Sequence, residues 1–317
     1  MMTPRHLALI AMMLLAAAPA ALAQGSEKPF VIEGRKQGYA TLSEAVDAIG
    51  DGTGTILIAP GTYADCAVQA SGEVIYRAVE PGSVIFDGHV CEGKAVLVLR
   101  GRSAQVDGIT FQNLAVPDGN GAGIRLEKGD LVISRSIFRD SQEGLLTASD
   151  PDGSVSIVQS TFSHLGRCGG NADCAHSVSV GDYASLSILR SRFEAGTGGH
   201  YVKSRARRVD IIESSFDDSD GHATSYMIDL PNGAVGQITG NEMVQGADND
   251  NASAFIALGA EGAKQPSDGL VVRGNGAGFV PGLSRRSVLV ADWANARLVV
   301  DGNNLAPGLT PYERRSR

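Results

Sequence analysis

Aromatic residues are scarce in this sequence, cysteines are few, and positive charge is not in excess. Aromatics make up 5% of the 317 residues, with a single Trp. A core has to be built from small aliphatic side chains instead. Lys and Arg number 27 against 35 Asp and Glu, a formal charge of −8. The basic stripe that a nucleic-acid binder needs to displace counterions is therefore missing. No apolar run of membrane-spanning length occurs after the first 23 residues. Glycine, by contrast, is abundant at 40 residues. It follows no Gly-x-y period, which excludes collagen. An apolar fraction of 43% is enough for a core and excludes disorder for the bulk of the chain. Many glycines with few aromatics point to a fold with many turns.

Residues 1–23 read as an export address. Arg5 and His6 precede the apolar run Leu7–Leu15, and Ala21-Leu22-Ala23 is a small-x-small cleavage site. The alternative is an uncleaved membrane anchor. After cleavage at Ala23, 26 basic residues face 35 acidic ones, or −9. A periplasmic or secreted protein can form disulfides. The cysteines are Cys66, Cys91, Cys168 and Cys174, which allow three pairings. Proximity favours Cys168–Cys174 and leaves Cys66–Cys91. A metal site is the other reading, although the spacings match no common zinc pattern.

A short phrase recurs along the chain. It appears as Val106–Phe111, Ile133–Phe138, Ile157–Phe162, Ile188–Phe193 and Ile211–Phe216, then with Asn at Asn241, Asn275 and Asn303. From Ser136 through Ser160, Ser191, Ser214, Asn241 and Asn275 to Asn303 the steps are 24, 31, 23, 27, 34 and 28 residues. Such a period marks a solenoid. Short β-branched runs dominate after residue 50, and no helical periodicity is sustained. A leucine-rich repeat would show its own signature, and a propeller needs about 40 residues per blade. A parallel β-helix fits, with the Ser and Asn as an inward polar ladder at a coil corner. Coils lie about 4.8 Å apart, so Cys66 and Cys91, one coil apart in sequence, can stand one above the other within disulfide reach. Thr41 and Glu44 have capping-box spacing before a helix over 41–49 that would close the start of the stack. Thr55–Tyr63 begins the first coil, 24–305 forms one domain of about nine coils, and 306–317 reads as a tail or loose cap.

The helix, the Ile56-Leu57-Ile58-Ala59-Pro60-Gly61-Thr62-Tyr63 run and the coils ending in Ser/Asn-x-Phe together resemble the pectate-lyase-like right-handed parallel β-helix superfamily. The resemblance implies an all-β, single-stranded right-handed parallel β-helix. It is weak for function, because that fold carries lyases, hydrolases, epimerases, esterases and adhesins.

The densest polar segment runs from Gly198 to Arg208. If Val202 points inward, strand alternation sends Tyr201, Lys203 and Arg205 outward. Lys203 and Asp229 each precede a repeat phrase by six residues (Val209, Val235) and should be neighbours on adjacent coils, to within one residue. The same face would collect His176, His200, His222 and Tyr226. Four of the five histidines after residue 23 fall between 164 and 222. Arg207 and Glu261, the latter between Gly259 and Gly262, are further candidates for substrate contact.

Such a face suits an acidic polysaccharide. Elimination across a uronate needs a base, a cation on the carboxylate and an acid for the leaving oxygen. Lys203 is the candidate base, His200 or Tyr226 its proton partner, Arg205 the cation and Asp229 the neighbour of the base. His200-Tyr201-Val202-Lys203-Ser204 also resembles a stretch of the alginate lyase and chondroitinase B group. That resemblance implies a Lys base, an Arg in the second proton role and calcium on the carboxylate. The group's calcium-ligand set is not clearly reproduced here, so calcium stays open as a cofactor and no metal ligand is assigned. Asp217, Asp218 and Asp220 read as a solvated turn, and Asp248–Asn251 as a turn by composition. The competing readings are a glycan-binding or structural β-helix without catalysis, and an epimerase or hydrolase on the same fold. The sequence leaves oligomeric state open.

Overall fold

The computed structural model describes residues 28–169 and 174–316; the leader read at 1–23 lies outside them. The chain winds into an all-β right-handed parallel β-helix of about nine turns. Each coil contributes one strand to each of three sheets. Strands three apart in chain order are hydrogen-bonded neighbours, and the second and third sheets are each ten strands deep. One coil shows how the sequence does this. In Arg208–Ile212, Val209 and Ile211 alternate inward. The chain then turns into Ser215–Asp217, which buries Phe216, and after a longer loop enters Ile228–Leu230.

The corner ladder accounts for the repeated phrase. The backbone N–H of Ser136 donates to Ser160 Oγ at 3.2 Å, that of Ser160 to Ser191 Oγ at 3.2 Å, and that of Ser191 to Ser214 Oγ at 3.1 Å. Asn then takes over: the N–H of Asn241 reaches Asn275 Oδ1, and that of Asn275 reaches Asn303 Oδ1, both at 3.0 Å. Each of these buried turns would otherwise leave a backbone donor unpaired. The preceding residue adopts a left-handed conformation throughout. It is Arg135, Gln159, Arg190 and Glu213 before the serines, and Gly240, Gly274 and Gly302 before the asparagines. Part of the glycine content thus belongs to corners where φ is positive. Beside this ladder the rings of Phe111, Phe138, Phe162, Phe193 and Phe216 stack in one column with centroids 4.8–4.9 Å apart.

The start is capped as the sequence indicates. Helix Leu42–Ile49 has Thr41 as N-cap in a capping box with Glu44, and it buries Leu42, Ala45, Val46 and Ile49. A strand not anticipated, Phe30–Ile32, pairs antiparallel with Thr53–Ile58. The far end differs from expectation too. Leu309–Arg314 lies inside the segment read as a tail, yet it is a strand that pairs in parallel with Ser287–Asp292, and Tyr312 donates to Asp292 Oδ2 at 2.8 Å. The polar composition that suggested a tail reflects a strand with one face in solvent. Cys66–Cys91 and Cys168–Cys174 are both disulfide-bonded, with Cα atoms 5.5 and 4.4 Å apart.

Candidate active site

The polar segment lies on the third sheet, across the consecutive strands Val178–Val180, Val202–Ser204 and Ile228–Leu230. Val202 and Ser204 point into the core, so Lys203 points out. Its partners in register are Ser179 on one side and Asp229 on the other. The count that paired Lys203 with Asp229 works although its anchors do not align. In the first sheet Val235 pairs with Arg208, not Val209, and the turn before that sheet absorbs the extra residue.

Two networks meet here. In the first, His176, His200 and Tyr226 stack ring on ring, with centroids 4.9 and 5.4 Å apart. The backbone N–H of His200 donates to His176 Nδ1 at 3.0 Å, which fixes the proton of neutral His176 on Nε2. Beneath His176 lies the buried Glu143, whose Oε1 accepts from the His176 N–H at 3.3 Å. In the second, Asp229 Oδ2 lies 3.4 Å from His200 Nε2 and 3.8 Å from Lys203 Nζ. Lys203 Nζ also bonds Glu261 Oε1 at 2.8 Å, and Arg205 Nη2 bonds Glu261 Oε2 at 2.6 Å. One carboxylate thus bridges a lysine and an arginine, reaching them from a loop two coils further on.

Burial dominates the protonation states. It pushes the Asp229 carboxyl up to about 7 against the downward pull of Lys203. It pushes Glu143 up to about 8. His200 is driven down to about 3 and His176 to about 2 by burial, with Lys203 and Arg205 adding repulsion. Near neutral pH the imidazoles are therefore uncharged. Asp229 Oδ1 and His200 Nδ1 are buried without a hydrogen-bond partner, an arrangement that costs stability and is found where chemistry needs it.

The structure brings Lys203, His200, Arg205, Tyr226, Asp229, His176 and Glu261 together. It does not bring the rest. Tyr201, expected to face solvent, is buried, and its hydroxyl donates to Asp218 Oδ1 at 2.6 Å. The alternation rule fails because Tyr201 lies just before the strand, at a corner where it and Val202 both turn inward. Asp218 correspondingly leaves the solvated turn predicted for it. It is buried, and besides Tyr201 it accepts from Thr224 Oγ1, Asn249 Nδ2 and the Gly246 N–H. His222 is exposed and paired with Asp248. Arg207 is 3.7 Å from Asp182 rather than in the cluster. Sequence reasoning passed over Glu143; its signal was a carboxylate in register with the histidine column. Near the cluster, the Gly199 N–H, in the turn before His200, donates to Cys168 Sγ at 3.2 Å.

Among the described residues, no group of three or more His, Cys, Asp or Glu is arranged to hold a metal ion. The two carboxylates beside Lys203 are already engaged by cations. The residues present do not fit the calcium site that the local resemblance implied.

No protein-family model matches the chain, and no curated protein sequence does. Solved structures do resemble it. One is the PL6 family alginate lyase AlyGC, with a TM-score of 0.56 and 15% identity over 84% of this chain and 39% of the lyase. Another is the pectin methylesterase from Aspergillus niger, with a TM-score of 0.54 and 13% identity over 79% of this chain and 85% of the esterase. The chain spans about two fifths of the length of that lyase. At such identities the likeness speaks for architecture alone, and it agrees with the coil geometry: the chain has a right-handed parallel β-helix fold.

Proposed function

We propose that this chain is an exported carbohydrate-active enzyme that cleaves a uronate-containing polysaccharide by β-elimination. The observation that carries the reading is the Glu261 carboxylate held jointly by Lys203 and Arg205. A cation pair that binds one carboxylate on the open face of a β-helix is suited to bind a uronate carboxylate in its place. The two disulfides fit an oxidising compartment.

The reading runs through these steps. The substrate carboxylate takes Arg205 and displaces Glu261. With Glu261 gone, the Lys203 ammonium passes one proton to the Asp229 carboxylate 3.8 Å away, whose burial favours the protonated form, and the amine is left free to act as base. Neutral Lys203 then takes the proton next to the uronate carboxylate. The carbon–oxygen bond to the leaving sugar breaks, a carbon–carbon double bond forms, and the leaving oxygen accepts a proton. His200, held neutral by burial, has no proton to give at neutral pH beyond its ring N–H. Tyr226, stacked on His200 and half-buried, is the donor in this reading. Proton return from Lys203 to Tyr226 completes the cycle. No step runs through calcium.

Purified protein is expected to release an ultraviolet-absorbing unsaturated sugar from at least one member of a panel of uronate polymers. Lys203→Ala should abolish it. Lys203→Arg, which keeps a cation beside Asp229, should stay folded and inactive. Binding of a polymer with no product in any member of the panel would replace this reading with a glycan-binding module.

A further inference from the structure

A second cationic site lies further along the same sheet face. The outward column that starts at Lys203 continues through Asp229, Ala257 and Ala291 to Glu313. Four coil steps at about 4.8 Å place its far end about 19 Å from the lysine. Between the two ends, the buried Ala254, Val288 and Ala291 form an apolar cluster that Tyr226 and Trp293, both partly exposed, pack against. Tyr226 belongs to the candidate active site. Trp293, the sole Trp, carries the Arg315 guanidinium 5.0 Å from its ring centroid.

Across the strands Ser287–Asp292 and Leu309–Arg314 the face opens into a pocket of about 560 Å³, lined by Arg286, Arg315, Ser253, Ser287, Thr310 and Glu313 among others. Arg315 is held in place: its guanidinium donates to Ser253 Oγ at 3.1 Å and to the Ser253 carbonyl at 3.0 Å. Arg286 is exposed, and among the described residues it has no carboxylate partner. That sets it apart from Lys203 and Arg205, which share Glu261.

We infer that this pocket is a distal subsite for an acidic oligosaccharide, in which Arg286 takes a carboxylate several sugar units away from the one at Arg205, with the partly exposed Trp293 close enough to report on its occupation. The inference rests on the acidic-glycan reading of the Lys203 face. It adds a prediction of its own: affinity should grow with oligomer length until the chain spans both ends. Cations spaced along one sheet face recognise spaced negative charge.

Trp293 makes the test direct, because all tryptophan emission comes from this position. Full-length Lys203→Ala protein would be titrated with galacturonate and mannuronate oligomers of two and six units, with an uncharged glucan hexamer as control. The expected result is an emission change with one of the acidic hexamers, a weaker response to its dimer and none to the glucan. Adding Arg286→Ala should weaken the hexamer about tenfold, as loss of one charge-assisted contact implies. That outcome supports the subsite even if the wild-type protein turns over no polymer, in which case only the elimination mechanism falls. Unsaturated product from wild type, with the emission-derived hexamer affinity unmoved by Arg286→Ala, overturns the subsite and leaves the elimination standing. Absence of binding by every acidic oligomer overturns it as well.

Discussion

At Phe162 the preceding and following coils offer the same side chain, Phe138 and Phe193, with rings 4.8 and 4.9 Å away. At Lys203, on the outside of the stack, the neighbouring coils offer Ser179 and Asp229. Inside, from Phe111 to Phe216, each coil repeats the last, because a column of identical groups satisfies itself by translation. Outside, around His176, His200 and Tyr226, no two neighbouring coils agree except for the one His–His step. Repetition here marks what the fold requires, and departure from it marks where the fold has been put to use.

The comparison can be broken at either side. Lys203→Ala should reduce elimination by at least about 10²–10⁴-fold in protein that folds by circular dichroism. Substitution inside should act in the opposite sense. Phe162→Ala leaves a void in the ring column and should cost about 3–5 kcal/mol in denaturant unfolding, with turnover per folded molecule kept. Ser160→Ala strips the acceptor from the Ser136 N–H and should cost about 1–3 kcal/mol, again with turnover kept. Loss of activity beyond loss of fold in either variant would blur the division between inside and outside.

Two milder changes sharpen it. Glu261→Gln removes the carboxylate that occupies Lys203 and Arg205 and should lower KM for a uronate polymer a few-fold; an unchanged or higher KM would make Glu261 a partner of the substrate rather than its stand-in. The last concerns pH. The Asp229 carboxyl sits at about 7 in the folded protein against about 4 unfolded. The stability it contributes is therefore complete below about pH 4 and lost as pH rises through 7. His176 and His200, at about 2 and 3 folded against about 6.5 unfolded, act the other way and destabilise the fold as pH drops below 6.5. The two opposing trends partly cancel in the native protein. Asp229→Asn removes one of them, so its melting temperature should fall more steeply than wild type between pH 7 and 5. Equal slopes in thermal melts would show that burial does not hold Asp229 protonated.

The interior was legible because its residues recur. Ser136 to Asn303 could be counted, and the count returned the corner ladder, the coil length and the Cys66–Cys91 stack. The exterior was legible only where it borrowed that register, which is why Lys203 and Asp229 could be paired. Tyr201 was misplaced because alternation assumes a straight strand, and the chain bends at that residue to turn two side chains inward. Asp218 was misplaced because composition treats a run of aspartates as one object, whereas a single member turns in to meet the Tyr201 hydroxyl. Glu261 stood out only as a carboxylate between glycines. Its partners lie 56 and 58 residues earlier, and no period links a loop to a strand two coils away.

The Cys66–Cys91 bond has a consequence for the order in which the molecule comes apart. It ties the first coil to the second, and the helix and the antiparallel strand close the same end. At the opposite end the last strands, Val299–Asp301, Asn304–Leu305 and Leu309–Arg314, each have a neighbour on one side only. In a stack whose coils touch only their neighbours, each coil is held by the contacts and bonds of its two interfaces. On heating, the two coils tied by Cys66–Cys91 are expected to part from each other last, because their covalent bond outlasts the contacts between other neighbours.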